Sequence, residues 1–210
     1  MRNRQRILLH SVLSGILALP LCAQDPIRGP MLGWVWDARK ETIRGILGIA
    51  GSSVLGAGVD LGAPVKAAAI AGKRETALAL LGEEREAALV DLKAAAPVAQ
   101  RIGGVAAGAE RIVLSPTGLA AVLVYKEPPR MVVVGGLAEN PEKKAELDLS
   151  NEGLPGALAV NDGGDGVLGG VGEAGRARLF DGSGTRVRLS RVTPVNSVAV
   201  REESRVALVA

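Results

Sequence analysis

Short apolar runs separated by turn-forming residues recur along the chain from about residue 30 onward. The clearest set consists of four runs, each apolar or alternating apolar and polar, at 112–114, 119–125, 131–136 and 145–149. Pro116, Thr117 and Gly118 supply turn chemistry between the first two runs. Because the runs are short and the last one alternates with a period of two, the pattern predicts four antiparallel strands in succession.

This four-strand unit repeats along the chain. Equivalent positions in the second strand are Ala77, Ala121, Val167 and Val206, at spacings of 44, 46 and 39 residues. Such regular spacing predicts an array built from one supersecondary unit. We expect complete units at 66–106, 110–150 and 156–190, and half-units at 31–62 and 195–210. The ending Trp36-Asp37 resembles the ends of third strands elsewhere, so the first half-unit is predicted to hold strands three and four, and the last half-unit strands one and two.

A helix is the alternative for 67–99, because Ala, Leu, Glu, Lys and Arg dominate that segment and have high helix propensity. Gly72 and Gly82 interrupt it, and its register matches the strands of the other copies. The interpretation as strands is therefore favoured, since tertiary context often overrides propensity.

Units of this length with four strands resemble the blades of β-propellers. The turn 115–118 and the pair Trp36-Asp37 are similar to those of WD-repeat and related propeller proteins exported by bacteria. The resemblance implies an all-β fold, a β-propeller-like array of four-stranded antiparallel blades. The Gly-His pair of standard WD repeats is missing, so no functional residue is carried over. Either the two half-blades pair with each other, or the ring is incomplete and continues beyond residue 210; we favour the incomplete ring.

Residues 1–23 have the pattern of a secretory signal peptide. Three Arg residues are followed by the apolar stretch 7–21, and Ala23 supplies the small residue at a cleavage site. The stretch is shorter than the roughly 20 residues that a spanning helix needs. Cleavage after Ala23 is therefore expected, whereas Leu21 before Cys22 is a poor match for a lipoprotein signal. The chain is expected to reach the periplasm or the exterior, with no membrane span after cleavage.

Signal cleavage changes the composition of the protein. The whole chain has 25 Lys and Arg and 22 Asp and Glu; removing the three Arg of the signal leaves 22 of each. The neutral body does not favour a nucleic-acid partner. The only His and the only Cys, His10 and Cys22, are removed as well. Disulfides, thiolate chemistry and histidine-based catalysis are thereby excluded from the mature chain, and no cofactor is expected.

Two weak candidate sites and one Gly-rich run remain. Trp34 and Trp36 lie two apart on one strand, so they share a face and are candidates for stacking on a ligand, although core packing is the more common role. The loop containing Asp162 and Asp165 resembles a calcium loop but lacks two of its ligands, so no metal is predicted. The run 48–58 matches no phosphate-binding motif and is interpreted as close-packed backbone at a turn.

The sequence therefore predicts a binding or scaffolding module whose partner is a protein. No residue is identified as catalytic, and the loss of His and Cys on cleavage argues against an enzyme without excluding one. The alternative is an exported hydrolase or lyase that uses two carboxylates in the propeller channel, about 5–10 Å apart. A channel lined by Ala, Val and Gly would favour the scaffold.

Overall fold

The computed structural model describes residues 29–171, 176–181, 186–191, 198–200 and 207–209. The predicted signal peptide, with Ala23 and Cys22, lies outside these residues, as does Val206. All helices and strands assigned within the described residues are β-strands, so this part of the chain contains no helix. The strands are β1 Met31–Asp37, β2 Thr42–Ile49, β3 Ser52–Gly58, β4 Val65–Ala71, β5 Thr76–Leu81, β6 Glu86–Asp91, β7 Ala99–Arg101, β8 Arg111–Leu114, β9 Ala121–Tyr125, β10 Arg130–Gly135, β11 Glu142–Asp148, β12 Pro155–Val160, β13 Gly166–Val171, β14 Arg176–Asp181, β15 Arg186–Arg191, β16 Val198–Val200 and β17 Ala207–Val209.

Strands that follow each other in the chain pair antiparallel within separate sheets. The second, third and fourth sheets are four-stranded: β4 to β7, β8 to β11 and β12 to β15. The first sheet has β1, β2 and β3, and the last has β16 and β17. The all-β fold with four-stranded antiparallel units is confirmed, and Ala77, Ala121 and Val167 all lie on second strands as predicted.

The first strands of successive sheets lie next to one another. β1 contacts β4, β4 contacts β8, β8 contacts β12, and β12 contacts β16. Each sheet therefore extends outward from a common inner row, which is the arrangement of propeller blades. In the part of the chain that the structure describes, the sheets are not closed into a ring. The structure is an open, propeller-like array.

The prediction that the first half-unit holds strands three and four was wrong. Segment 31–62 holds three strands, and β1 is an inner first strand because it contacts β4. The turn into β2 matches the turn from β4 into β5: Glu41 and Glu75 both have positive φ, at 49° and 52°, and a Thr follows each. The last sheet also contains an inner strand, β16, which contacts β12. Because both end sheets include an inner strand, they are not complementary halves of one blade.

The helical alternative for 67–99 was also wrong, because β4, β5, β6 and part of β7 occupy that segment. This segment forms strands despite its high helix propensity because both of its faces are buried. Leu78 and Leu80 pack into the core between the second and third sheets, whereas Ala77 and Ala79 face the core between the first and second. A strand sends alternate residues to opposite faces and so serves both cores, which one helix in this place would not do.

The apolar core consists of layers between neighbouring sheets. In β9, Leu123 and Tyr125 join the layer shared with the second sheet, and Val122 and Val124 join the layer shared with the fourth. Phe180 of β14 is completely buried in that second layer. Side chains as small as Ala and Val fill these layers, which explains how a chain with few aromatic residues forms several packed interfaces.

Candidate binding surface

Trp34 and Trp36 lie on the same face of β1, as predicted, opposite Gly45 and Ile43 of β2. Both rings are partly buried against the core between the first two sheets. The indole Nε1 of Trp36 donates a hydrogen bond to the backbone oxygen of Val65 at 3.0 Å. The Nε1 of Trp34 is buried without an acceptor. The pair therefore packs between sheets, and Trp36 fixes the first strand of one sheet to the first strand of the next.

Arg111 makes an equivalent link between the third and fourth sheets, which the sequence pattern did not reveal. Its two terminal nitrogens donate to the backbone oxygens of Pro155 and Gly156 at 2.7 and 2.9 Å. Pro155 begins β12 as Val65 begins β4. Burial lowers the pKa of Arg111 below its usual value. The backbone oxygens that Arg111 binds are about 45 residues away in the sequence, so the contact cannot be recognised from the local pattern of apolar and polar residues.

Asp162 forms a further contact between the third and fourth sheets. Its Oδ1 accepts hydrogen bonds from the backbone N–H and the Oγ1 hydroxyl of Thr117, at 3.1 and 2.7 Å. Burial raises the pKa of Asp162, but hydrogen bonds from Ser115 and Thr117 and the charge of Arg74 outweigh it and keep this pKa below its usual value. Asp162 is thus occupied in joining two turns.

Asp165, the other acidic residue of that loop, forms a hydrogen bond within the loop itself. Its Oδ1 accepts a hydrogen bond from Nδ2 of Asn161 at 2.5 Å. The two carboxylates that the sequence pattern grouped therefore have different partners. Within the ranges that the structure describes, no group of three or more His, Cys, Asp and Glu is placed to hold a metal ion.

The Gly-rich run 48–58 forms a hairpin strand rather than only a turn. Gly48 has φ +117°, and an added Cβ there would overlap the backbone oxygen of Ser52. The close approach that the composition suggested is therefore found at Gly48. Beyond Gly51, however, the run continues as β3, paired antiparallel with β2.

Exposed large apolar side chains concentrate on the first sheet. Five of the seven found among the described residues lie on β1 to β3, where they are spread over both faces of the sheet, and we call these five together the first-sheet apolar surface: Leu32, Leu47, Ile49, Val54 and Leu55. Val54 is the most exposed of them at 68%. Grouped exposed apolar residues are typical of interaction sites, whereas single ones are ordinary. The sequence pattern did not reveal this surface, because the run 48–58 was interpreted as close-packed backbone at a turn and its strand β3 was not expected.

Ion pairs involving Arg44 and Lys66 lie on or beside this sheet. Arg44 Nη1 lies 3.0 Å from Oδ2 of Asp37, and this hydrogen bond, helped by backbone N–H groups, lowers the pKa of Asp37. Lys66 contacts Glu83 at 2.7 Å and Glu41 at 3.0 Å, which raises the pKa of its ammonium. Lys66 belongs to β4 of the second sheet, and Glu41 lies in the turn after β1 of the first sheet. The contact between Lys66 and Glu41 is therefore an ion pair between the first two sheets.

No family model and no curated protein matches the sequence. Among solved structures, the β-propeller domain of Cps50 (Swd1) from Myceliophteria thermophila has a TM-score of 0.41 at 10% identity, over 86% of this chain and 92% of that one. A nidogen/laminin complex has a TM-score of 0.48 at 14% identity, over 83% and 70%. Hsv2 from Kluyvelomyces marxianus has a TM-score of 0.44 at 12% identity, over 84% and 72%. At these TM-scores the propeller-like arrangement rests on this chain's own strand contacts.

The part of the chain that the structure describes has no helix long and apolar enough to cross a membrane.

Proposed function

We propose that this protein is an exported, non-enzymatic binding or scaffolding module that contacts a protein partner through the first-sheet apolar surface. The observation that carries the proposal is the concentration of exposed apolar side chains on one sheet. Burying such side chains against a partner contributes roughly 25 cal/mol for each Å² removed from water. Side chains that stay in water, by contrast, gain nothing from being apolar.

The inner strands support binding rather than carboxylate chemistry. β4 reads VKAAAIA and β12 reads PGALAV, so small apolar residues predominate on these two inner strands, although β4 also carries Lys66. The carboxylate that β1 contributes, Asp37, is held by Arg44. A glycosidase-type mechanism needs two carboxylates facing one bond, one as acid and one as base or nucleophile. The composition of β4 and β12 therefore supports the scaffold rather than the carboxylate-dependent enzyme.

Site-specific photocrosslinking tests the proposal. A benzoylphenylalanine replaces Val54 in one variant and Val98 in a control variant, because Val98 is similarly exposed at 73% but lies outside the first sheet. Cells that export the chain are irradiated, and adducts are resolved by mass. We expect a discrete adduct from position 54 that is absent from position 98. Equal adducts from both positions, or none from position 54, would overturn the proposed surface.

Export is tested on the full chain produced in a Gram-negative host. Cleavage after Ala23 predicts a product whose N-terminal residue is Gln24, recovered outside the cytoplasm. An acylated N-terminal Cys22 would instead show a lipoprotein. An intact N-terminus in the cytoplasmic fraction would contradict export.

A further inference from the structure

β3 is a third strand without a fourth strand beside it. It pairs with β2 and with no other strand among the described residues, whereas β6, β10 and β14, the third strands of the complete sheets, each pair on both edges. The outer edge of β3 therefore presents backbone groups that a further strand would satisfy, although the oxygens of Leu55 and Gly56 already accept hydrogen bonds from the side chain of Arg44 in β2. Backbone groups at an open edge are the usual template for strand addition.

β3 also lacks the features that protect open edges. Its seven residues, SSVLGAG, include no charge and no proline. β11, the outer strand of the third sheet, is the contrast: five of its seven residues are charged, in the sequence EKKAELD. Charged side chains on an outer strand are one of the features that discourage a further strand from pairing there. On β3 that protection is absent.

We propose that β3 pairs antiparallel with β3 of a second copy of this chain. The two first sheets would then form one continuous sheet around a two-fold axis. This contact closes on itself, since each copy uses the same edge. The inference rests on the proposed binding surface and names its occupant.

The side chains of β3 suit this pairing on both faces. Val54 and Leu55 are adjacent, so they point to opposite faces, and they are 68% and 46% exposed. Pairing brings each beside apolar or small residues of the other copy, since the rest of β3 is Ser, Gly and Ala. The side chains of β3 itself carry no charge, so a charged partner strand would find no opposite charge among them, whereas a copy of β3 would meet no like charge on the strand.

Sedimentation equilibrium of the mature chain, 24–210, tests the inference. We expect a dimer at micromolar concentrations that dissociates to monomers on dilution. Val54→Lys places like charges across the new strand pair and is expected to weaken dimerisation at least tenfold. Val98→Lys, at a similarly exposed position away from β3, should leave the dimer unchanged. Circular dichroism of each variant checks that its sheet content is retained.

A second control separates edge pairing from packing through the face of the sheet. Ile49, 63% exposed, belongs to β2 rather than to the edge strand, so Ile49→Lys should leave the dimer intact. A wild-type chain that stays monomeric, a dimer that Val54→Lys does not weaken, or equal loss with Ile49→Lys would overturn edge pairing. A monomer that still gives a position-54 adduct with another protein would overturn this inference alone and leave the proposed binding surface standing.

Discussion

The indole groups of Trp34 and Trp36 occupy neighbouring places on one face of β1 and differ in what their N–H groups meet. Trp36 donates to the oxygen of Val65, and Trp34 has no acceptor. We expect Trp36→Phe to lower the free energy of unfolding by about 1 kcal/mol more than Trp34→Phe, because only the first change leaves a buried oxygen unpaired. Urea denaturation of both variants measures the difference. Equal losses would mean that the Trp36 hydrogen bond contributes nothing.

Asp162 and Asp165 belong to one loop, yet only Asp162 reaches another sheet. Asp162→Ala removes two hydrogen bonds from Thr117, and we expect it to cost about 1–2 kcal/mol of stability. Asp165→Ala breaks a bond within an exposed turn and should cost less. Thermal unfolding of the two variants compares them. A larger loss for Asp165→Ala would contradict the assigned roles.

The ion pair between Asp37 and Arg44 makes the free energy of unfolding depend on pH in the acidic range. Because folding lowers the pKa of Asp37 below 3.8, its contribution is present above that pH and is lost as the pH falls through the lower, folded value. Asp37→Asn should therefore destabilise the protein more at pH 6 than at pH 3. Denaturant midpoints at the two pH values measure this effect. Arg44→Gln should give the same pattern; a pH-independent loss from both would argue against the pair.

Between elements, the close approach of turns sets how tightly sheets pack. Gly118 has φ +74°, and an added Cβ would overlap the Cβ of Ala71 in the neighbouring sheet. Gly82 has a similar φ, +69°, but open space around it. Both changes to Ala incur backbone strain, and only Gly118→Ala adds a clash, which costs about 1–3 kcal/mol more. Urea denaturation tests this difference, and equal losses would contradict the close packing.

The strands themselves were predictable from the sequence, because short alternating or apolar runs between Pro- and Gly-containing turns have few other interpretations. The order of strands in the first sheet was not. The similarity of Trp36-Asp37 to third strands suggested one register, whereas the true match was the turn 38–42 with 72–76. Strand β3 was hidden because Gly and Ser in a strand lower its β-propensity.

The contacts between sheets could not be read from the sequence at all. Arg111 and Asp162 bind groups about 45 residues away in the chain, and the hydrogen-bonded atoms include backbone atoms, which carry no residue signature. Trp34 and Trp36 were recognised as a pair, but their packing depends on the second sheet. Distances between sheets are set by the whole fold, whereas periodicity reports only on local structure.

At the scale of the whole molecule, the first sheet has an outer edge with no neighbouring strand among the described residues, and exposed apolar side chains lie beside it. The complete sheets end in fourth strands, and the charged β11 is unsuited to self-pairing. Binding is therefore expected at one end of the array rather than along its outer rim. The account depends on β3 being an edge that nothing else in the chain covers.

Amide hydrogen exchange of the dilute mature chain tests that dependence most directly. The account predicts that about half of the amides in 52–58, those pointing away from β2, exchange nearly as fast as in an unstructured peptide. Amides of β10, which pairs on both edges, should be strongly protected. Protection of 52–58 equal to that of β10 at every concentration would show that the edge is covered, and would contradict the proposed binding surface and the dimer together.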